Sequence, residues 1–156
     1  ELTAHWKEYE KIGVERVPFV PVLKYPELVK KINPDICLIP RDINSKVNYY
    51  KSNIKFIEMS AMKVPVIATP IEPYKEIEDG KTGFLAESLN DWEGKINTLI
   101  SDKKLRQEIG ENAYQYCKGR YSIQQNVKLW EKAYKQLWLS SSKVDAKTIG
   151  RTTKGI

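Results

Sequence analysis

Side chains that carry most acid–base, nucleophilic and metal chemistry are scarce in this sequence. There is one histidine, His5, set near the N-terminus with no evident partner. A histidine-based triad or metal cluster supplied by this chain alone is therefore excluded. The two cysteines, Cys37 and Cys117, lie apart, one in an apolar strand pattern and one in a helical pattern. With no second ligand group beside either, they read as small buried residues of a reducing compartment, and no metal or other cofactor is expected. No apolar run approaches the ~20 residues that span a bilayer, and no signal-peptide pattern opens the chain. Nor does a glycine-rich strand–turn–helix fingerprint precede Val17.

What remains is an ordinary globular composition, 41% apolar and 29% charged over 156 residues. That is one domain's worth of chain, with enough material for a core. The chain opens at Glu1 without a methionine, and a fragment or processed form is expected. Its net charge is +6, and half of this falls in residues 140–156, where Lys143, Lys147, Arg151 and Lys154 face only Asp145. A basic balance suits nucleic acid, an anionic membrane surface or a phosphate-bearing substrate, and a merely solvated face as well. Neither zinc-ligand spacing nor an interleaved aromatic–basic strand is present, so no nucleic-acid partner is expected.

Along the chain, residues 1–11 read as the end of a helix that Gly13 stops. Residues 17–21 read as a short strand bracketed by prolines. Residues 26–32 carry a proline in the first turn and lysines in the last, a helix that Asn33 and Pro34 break. Residues 35–39 form a continuous apolar strand of the kind buried on both faces of a parallel sheet. The polar, aperiodic residues 41–50 follow, at the strand end where α/β folds place ligands. Arg41, Lys46 and Lys51 suit phosphates, and Tyr49 and Tyr50 suit a base or ribose; solvated cations and loop-packing rings explain them equally. Farther on, Ser88 or Asn90 caps a helix over 88–100, and Asp102 opens another over 103–117 that Gly119 ends. Ser122 caps the last helix, with Ile123, Val127, Trp130, Tyr134 and Leu137 at helical spacing and Trp138 beside them. Residues 140–156 lack any period and read as a disordered basic tail beyond an α/β domain over 1–139.

The other segments are organised around residues 51–85. Ser52 and Asn53 are good N-cap types ahead of a short helical pattern whose first amides point outward. Such a start favours an anion, and Lys51 and Lys55 add positive charge beside it. At about 3.6 residues per turn, Ile54, Ile57 and Ala61 share an apolar face with Glu58 at its edge. A carboxylate there needs a partner; a pair of sugar hydroxyls would serve, and so would Lys55 or a neighbouring loop. Val64 and Pro65 close the helix, and residues 66–69 form an apolar strand that stops at Pro70. A polar segment with Asp79, Gly80 and Gly83 then leads into Phe84 and Leu85. The element order is strand, helix, strand, helix, strand, helix, strand, then three helices. It predicts a Rossmann-like α/β fold, its mostly parallel sheet covered by helices on both faces.

Residues 51–85 resemble the donor-domain signature of GT-B type glycosyltransferases, the large group 1 retaining family. That family carries Glu-Ala-Met-Ala in a helix followed by Gly-x-Pro-Val-Ile-Ala; here Glu58-Met59-Ser60-Ala61-Met62 precedes Lys63-Val64-Pro65-Val66-Ile67-Ala68-Thr69. Pro73, Tyr74, Glu76, Ile77, Asp79, Gly80 and Thr82 to Leu85 extend the likeness, which spans roughly residues 17–138. It implies that Glu58 binds the ribose hydroxyls of a nucleotide-sugar and that the Ser52, Asn53 and Ile54 amides hold its diphosphate, with Lys51 and Lys55 alongside. It also implies a separate N-terminal acceptor-binding domain, no metal, and a cytoplasmic setting, peripheral to the inner membrane face where acceptors are lipid-linked. Two departures matter. Tyr50 stands where the family has a second, sugar-contacting glutamate eight positions before Glu58, and Lys51 and Asn53 replace its glycine pair. The nucleotide end of the site is kept and the sugar end altered. On this reading the isolated chain transfers no sugar.

Overall fold

The computed structural model describes residues 10–17 and 19–149. They fall into two compact units, Glu1–Pro34 and Asp35–Ile156. The boundary lies at the Asn33–Pro34 break. Asn33 takes a left-handed conformation (φ 48°) and donates its amide to the Val29 carbonyl at 2.9 Å, a helix stop that asparagine tolerates and proline then makes final.

In the first unit, Gly13 (φ 82°) ends the helical turn at Glu10 and Lys11; residues 1–9 of that expected helix lie outside the described residues. The strand expected over 17–21 is not there: residues 17 and 19–21 are irregular, and Pro18 lies outside the described residues. Proline cannot donate to a ladder, and from Pro21 the chain turns directly into a 3₁₀ turn, Val22–Lys24. Helix α1, Tyr25–Ile32, follows with Pro26 and Glu27 in its first turn and Lys30 and Lys31 in its last, each suited to its end of the helix dipole.

The second unit is built on three parallel strands in the order β1 (Cys37–Ile39), β2 (Val66–Ala68), β3 (Phe84–Leu85). Cys37 pairs with Val66 and Ile39 with Ala68; Ile67 pairs with Phe84 and Ala68 with Leu85. Strand β2, flanked on both edges, is buried throughout. The burial of β1 on both faces does not hold: Leu38 is 47% exposed because β1 is an outer strand of this sheet. Between β2 and β3 the chain makes only a 3₁₀ turn, Glu72–Tyr74, in place of the expected helix. Pro70 and Pro73 remove two of the amide donors a helix there would need.

Helix α2, Ile54–Ala61, crosses from β1 back to β2. Its inward stripe is Phe56, Met59 and Ser60, a spacing of three and one that lies along one side of the helix. The expected face, Ile54, Ile57 and Ala61, is wrong by about half a turn: Ile54 and Ala61 are exposed. Phe56 is fully buried and its ring packs against Tyr116, centroids 6.3 Å apart, and the larger apolar surface dictates which way the helix turns. Helix α3, Leu89–Ser101, starts on a complete capping box, Ser88 Oγ accepting from the Asp91 amide at 3.1 Å and Asp91 Oδ2 from the Ser88 amide at 3.0 Å. Asp102 caps α4, Lys103–Tyr121, by accepting from the Leu105 amide at 2.9 Å. That helix runs through Gly119, which has no positive φ, because its last turn is held by side-chain bonds from Tyr116, Arg120 and Tyr121. Helix α5, Ile123–Ile149, continues through residues 140–149 of the segment read as a disordered tail; 150–156 lie outside the described residues. The core joins Ile67, Ala86, Leu99 and Ile109, with Ile36, Phe84, Trp92, Ile96 and Leu105 packed around them.

Candidate functional site

A strand–helix–strand crossover in a parallel sheet brings the start of its helix to the carboxyl ends of the strands. Helix α2 therefore starts where the loop after β1 and the loop after β2 meet. The first loop is ordered by polar contacts. The Arg41 amide donates to Thr69 Oγ1 at 2.9 Å, the Asn44 amide to Asp42 Oδ1 at 3.0 Å, and buried Asn48 sends Nδ2 to the Asp42 carbonyl at 2.5 Å. A 3₁₀ turn, Lys46–Tyr50, then delivers the chain to α2. A cleft of about 120 Å³ separates the two loops, lined by Ile43, Ser45, Asn48, Tyr49, Pro70, Ile71, Glu72 and Lys75. Tyr49 is the single sequence candidate on its walls. Tyr50, 90% exposed, and the exposed Lys51 and Ser52 stand outside it.

Asn53 occupies the N-cap of α2, and its carbonyl accepts from the amides of Phe56 and Ile57 at 2.9 and 3.2 Å. Its side chain does not cap. The amide nitrogen Nδ2 donates instead to Glu76 Oε1 and, at 2.9 Å, to the Tyr121 hydroxyl. Glu76 collects further donors on Oε2: the Tyr116 hydroxyl at 3.1 Å, the Tyr121 hydroxyl, and the Arg120 guanidinium at 3.7 Å. This carboxylate, 17% exposed, ties the start of α2 to the end of α4. Sequence reading placed Glu76 in the family likeness but assigned it no role, because its partners lie 23, 40 and 45 residues away and no local spacing reveals them.

Burial, with Glu76 adding to it, pushes both the Tyr116 and the Tyr121 phenols up. A phenol that holds its proton more tightly folded than unfolded contributes stability that is whole below about pH 10, the ordinary tyrosine value, and is lost above it. The unfolding free energy is thus expected to fall as pH climbs past 10, and Tyr121→Phe to flatten that fall in urea titrations.

Glu58 sits one turn into α2, its side chain 31% exposed, paired with Lys55 Nζ at 3.0 Å. The sequence left Glu58 to sugar hydroxyls, to Lys55 or to a neighbouring loop; in the structure it pairs with Lys55. A half-buried pair three residues apart on a helix is worth only about 0.2–0.5 kcal/mol, so a bidentate hydroxyl ligand can displace it. Burial pushes up the Cys37 thiol at the head of β1, with the charge of Lys55 opposing and that of Glu58 adding. Burial likewise raises the phenol of Tyr74, against the pull of the Arg41 charge. Of the predicted site, Ile54, Lys55 and Glu58 lie in the first turns of α2 and Asn53 is its N-cap, with Tyr50, Lys51 and Ser52 just ahead of it. Ile54 is exposed. Among the described residues no group of three or more His, Cys, Asp or Glu side chains is placed to hold a metal ion, and no helix is long and apolar enough to cross a membrane.

A family model described as glycosyl transferase-like matches residues 2–132, most of the chain and all of the elements above except the later part of α5. The chain belongs to the glycosyl transferase-like family. This glycosyl transferase-like chain is 29% identical over 109 residues to the capsular polysaccharide biosynthesis glycosyltransferase CapM of Staphylococcus aureus, an alignment covering 59% of this chain and 28% of that protein. It is 38% identical over 84 residues to the uncharacterized glycosyltransferase MJ1178 of Methanocaldococcus jannaschii, covering 52% and 24% respectively. The chain thus spans about a quarter of the length of these curated relatives. Its fold resembles the crystal structure of the C-terminal domain of a glycosyl transferase group 1 family protein, LpcC, from Francisella tularensis. The TM-score is 0.58 at 23% identity, over 78% of this chain and 63% of that one. The group 1 likeness read from residues 51–85 and the mixed α/β fold are both borne out.

Proposed function

We propose that this chain is the nucleotide-sugar-binding part of a glycosyltransferase that moves a sugar from a nucleoside-diphosphate donor to a glycan, lipid or other acceptor. The observation that carries the reading is the uncapped start of α2, at the carboxyl end of a parallel sheet, with Lys55 and Glu58 within its first two turns. Unsatisfied amides, the positive end of the helix dipole, and the side chains of Lys51 and Lys55 suit a diphosphate. Glu58 then exchanges Lys55 for the two ribose hydroxyls. Catalysis on this reading is electrostatic: fixed donors stabilise the departing nucleoside diphosphate, and no metal is called for. The acceptor is bound by an N-terminal domain of the larger protein, in the cytoplasm and, for a lipid-linked acceptor, against an anionic membrane surface; nucleic acid has no part. The 156 residues by themselves then bind donor weakly and transfer nothing.

Calorimetry with UDP, GDP and their sugar conjugates tests this. The expected result is a weak but measurable heat with one base, reduced at least tenfold in affinity by Glu58→Ala. Affinity indifferent to that substitution would overturn the assignment. A second reading, a non-catalytic interaction domain of the same ancestry, is favoured by Tyr50, an exposed ring where the family places its sugar-contacting glutamate. It predicts no heat with any nucleotide.

A further inference from the structure

The cleft between the loops after β1 and β2 has no part in the donor contacts just described, yet one of its walls carries an unmet acceptor. Asn48, 7% exposed, lines it. Its Nδ2 is committed to the Asp42 carbonyl at 2.5 Å, and among the described residues no donor reaches its Oδ1. That oxygen is not shut away: among the described residues, Ser60 Oγ alone is a partnerless side-chain atom sealed from solvent. Buried amide oxygens are ordinarily paired, so one left open on a cleft wall suits a donor brought by a ligand. On the other loop, Glu72 and Lys75 pair at 2.6 Å with both side chains more than half exposed. Ser45 adds a hydroxyl and Ile71 an apolar surface.

This chemistry selects among ligands. The charges of Glu72 and Lys75 cancel, and the open groups are mainly acceptors, so a phosphate gains nothing here. Acceptors beside an apolar wall complement the hydroxyls and C–H edge of a sugar. A volume of about 120 Å³ holds about four waters at ~30 Å³ each, room for one side of a sugar ring and too little for a nucleoside. Both walls lead to the head of α2. Tyr49 stands four residues before Asn53 and Glu72 four before Glu76, and Asn53 and Glu76 are hydrogen-bonded to each other. Four residues span at most about 14 Å, which keeps the cleft close to the place proposed for the diphosphate. We infer that this cleft is the subsite for the donor's sugar, a neutral hydroxylated ring that donates to Asn48 Oδ1 and to the Glu72 carboxylate; this rests on the donor-binding reading.

Calorimetry on the full 156-residue chain tests this by comparing UDP with UDP-glucose and UDP-galactose, and GDP with GDP-mannose, with a thermal melt for each variant. At least one conjugate is expected to bind about tenfold more tightly than its own bare nucleotide. Glu72→Ala removes an exposed carboxylate and is expected to bring that ratio down to about twofold or less, and Asn48→Ala to do the same. A merely weakened fold lowers conjugate and nucleotide together and leaves their ratio unchanged. Asn48 also ties its own loop through Asp42, so where Asn48→Ala melts early the Glu72 variant decides alone. A ratio near one for every conjugate in the parent, or a ratio that survives in Glu72→Ala, overturns the inference and spares the donor reading. A parent chain that binds neither nucleotides nor conjugates brings down the donor reading and this inference with it.

Discussion

Replacing Gly110 by alanine is expected to destabilise the protein by about 2 kcal/mol, although it puts a better helix former into the middle of α4. A Cβ at this position would press into the Lys63 carbonyl, lying 2.8 Å from its carbon and nearer still to its oxygen. The obstacle is backbone, so no side chain can rotate out of the way. Forced overpacking of this kind costs about 3 kcal/mol at the upper end of its usual range, against about 1 kcal/mol gained from glycine to alanine in a helix; the clash wins. The contact matters to the site because Lys63 (φ 58°) lies in the turn that ends α2. The close approach of α4 to that turn fixes the helix that carries Glu58. Gly119→Ala is the control: it lies in the same helix with nothing within 4 Å of a built Cβ, so propensity alone acts and stability is expected to rise. Urea unfolding of the two variants should move in opposite directions, and a Gly110→Ala protein as stable as the parent would contradict the packing described.

A larger loss, about 3–5 kcal/mol, is expected for Phe56→Ala, the range for emptying a fully buried aromatic site. Phe56 is fully buried and stacks at a tilt on Tyr116, and Tyr116 donates to Glu76 at 3.1 Å. The truncation therefore removes the main anchor of α2 and one support of the Glu76 network together. Chemical denaturation gives the stability, and a loss below 1 kcal/mol would mean that α2 is held by something other than this ring. A parallel hydrogen-exchange measurement should show the amides of α2 losing protection before those of α3, whose capping box is untouched.

How much was legible beforehand depended on how local each cause is. The cap at Asp102, the stop at Asn33 and Pro34, and the proline-bounded strand β2 are each decided within four residues and read correctly, and of the two caps read for α3, Ser88 and Asn90, the structure takes Ser88. The orientation of α2 did not. Over eight residues two apolar stripes compete, and the choice of Phe56, Met59 and Ser60 over Ile54, Ile57 and Ala61 is made by α4, some fifty residues on. Gly119 reads as a stop until its neighbours Arg120 and Tyr121 find Glu76. The helical course of residues 140–149 shows no period that marks it. At the candidate site, the start of α2 and the Lys55–Glu58 pair were visible from residue type and order, whereas the partners of Glu76 came to light only once α2 and α4 were folded against the loop between them.

The parallel register has a consequence for how this chain reaches its native state. Residues paired between β1 and β2 are 29 apart, and those between β2 and β3 are 17 apart, so no two strands can zip together as a hairpin. Every ladder must wait for a long loop to close, a slow route compared with local pairing. Until then the apolar runs of β1 and β2 remain unsheltered, and refolding at high protein concentration is where losses to aggregation will be greatest.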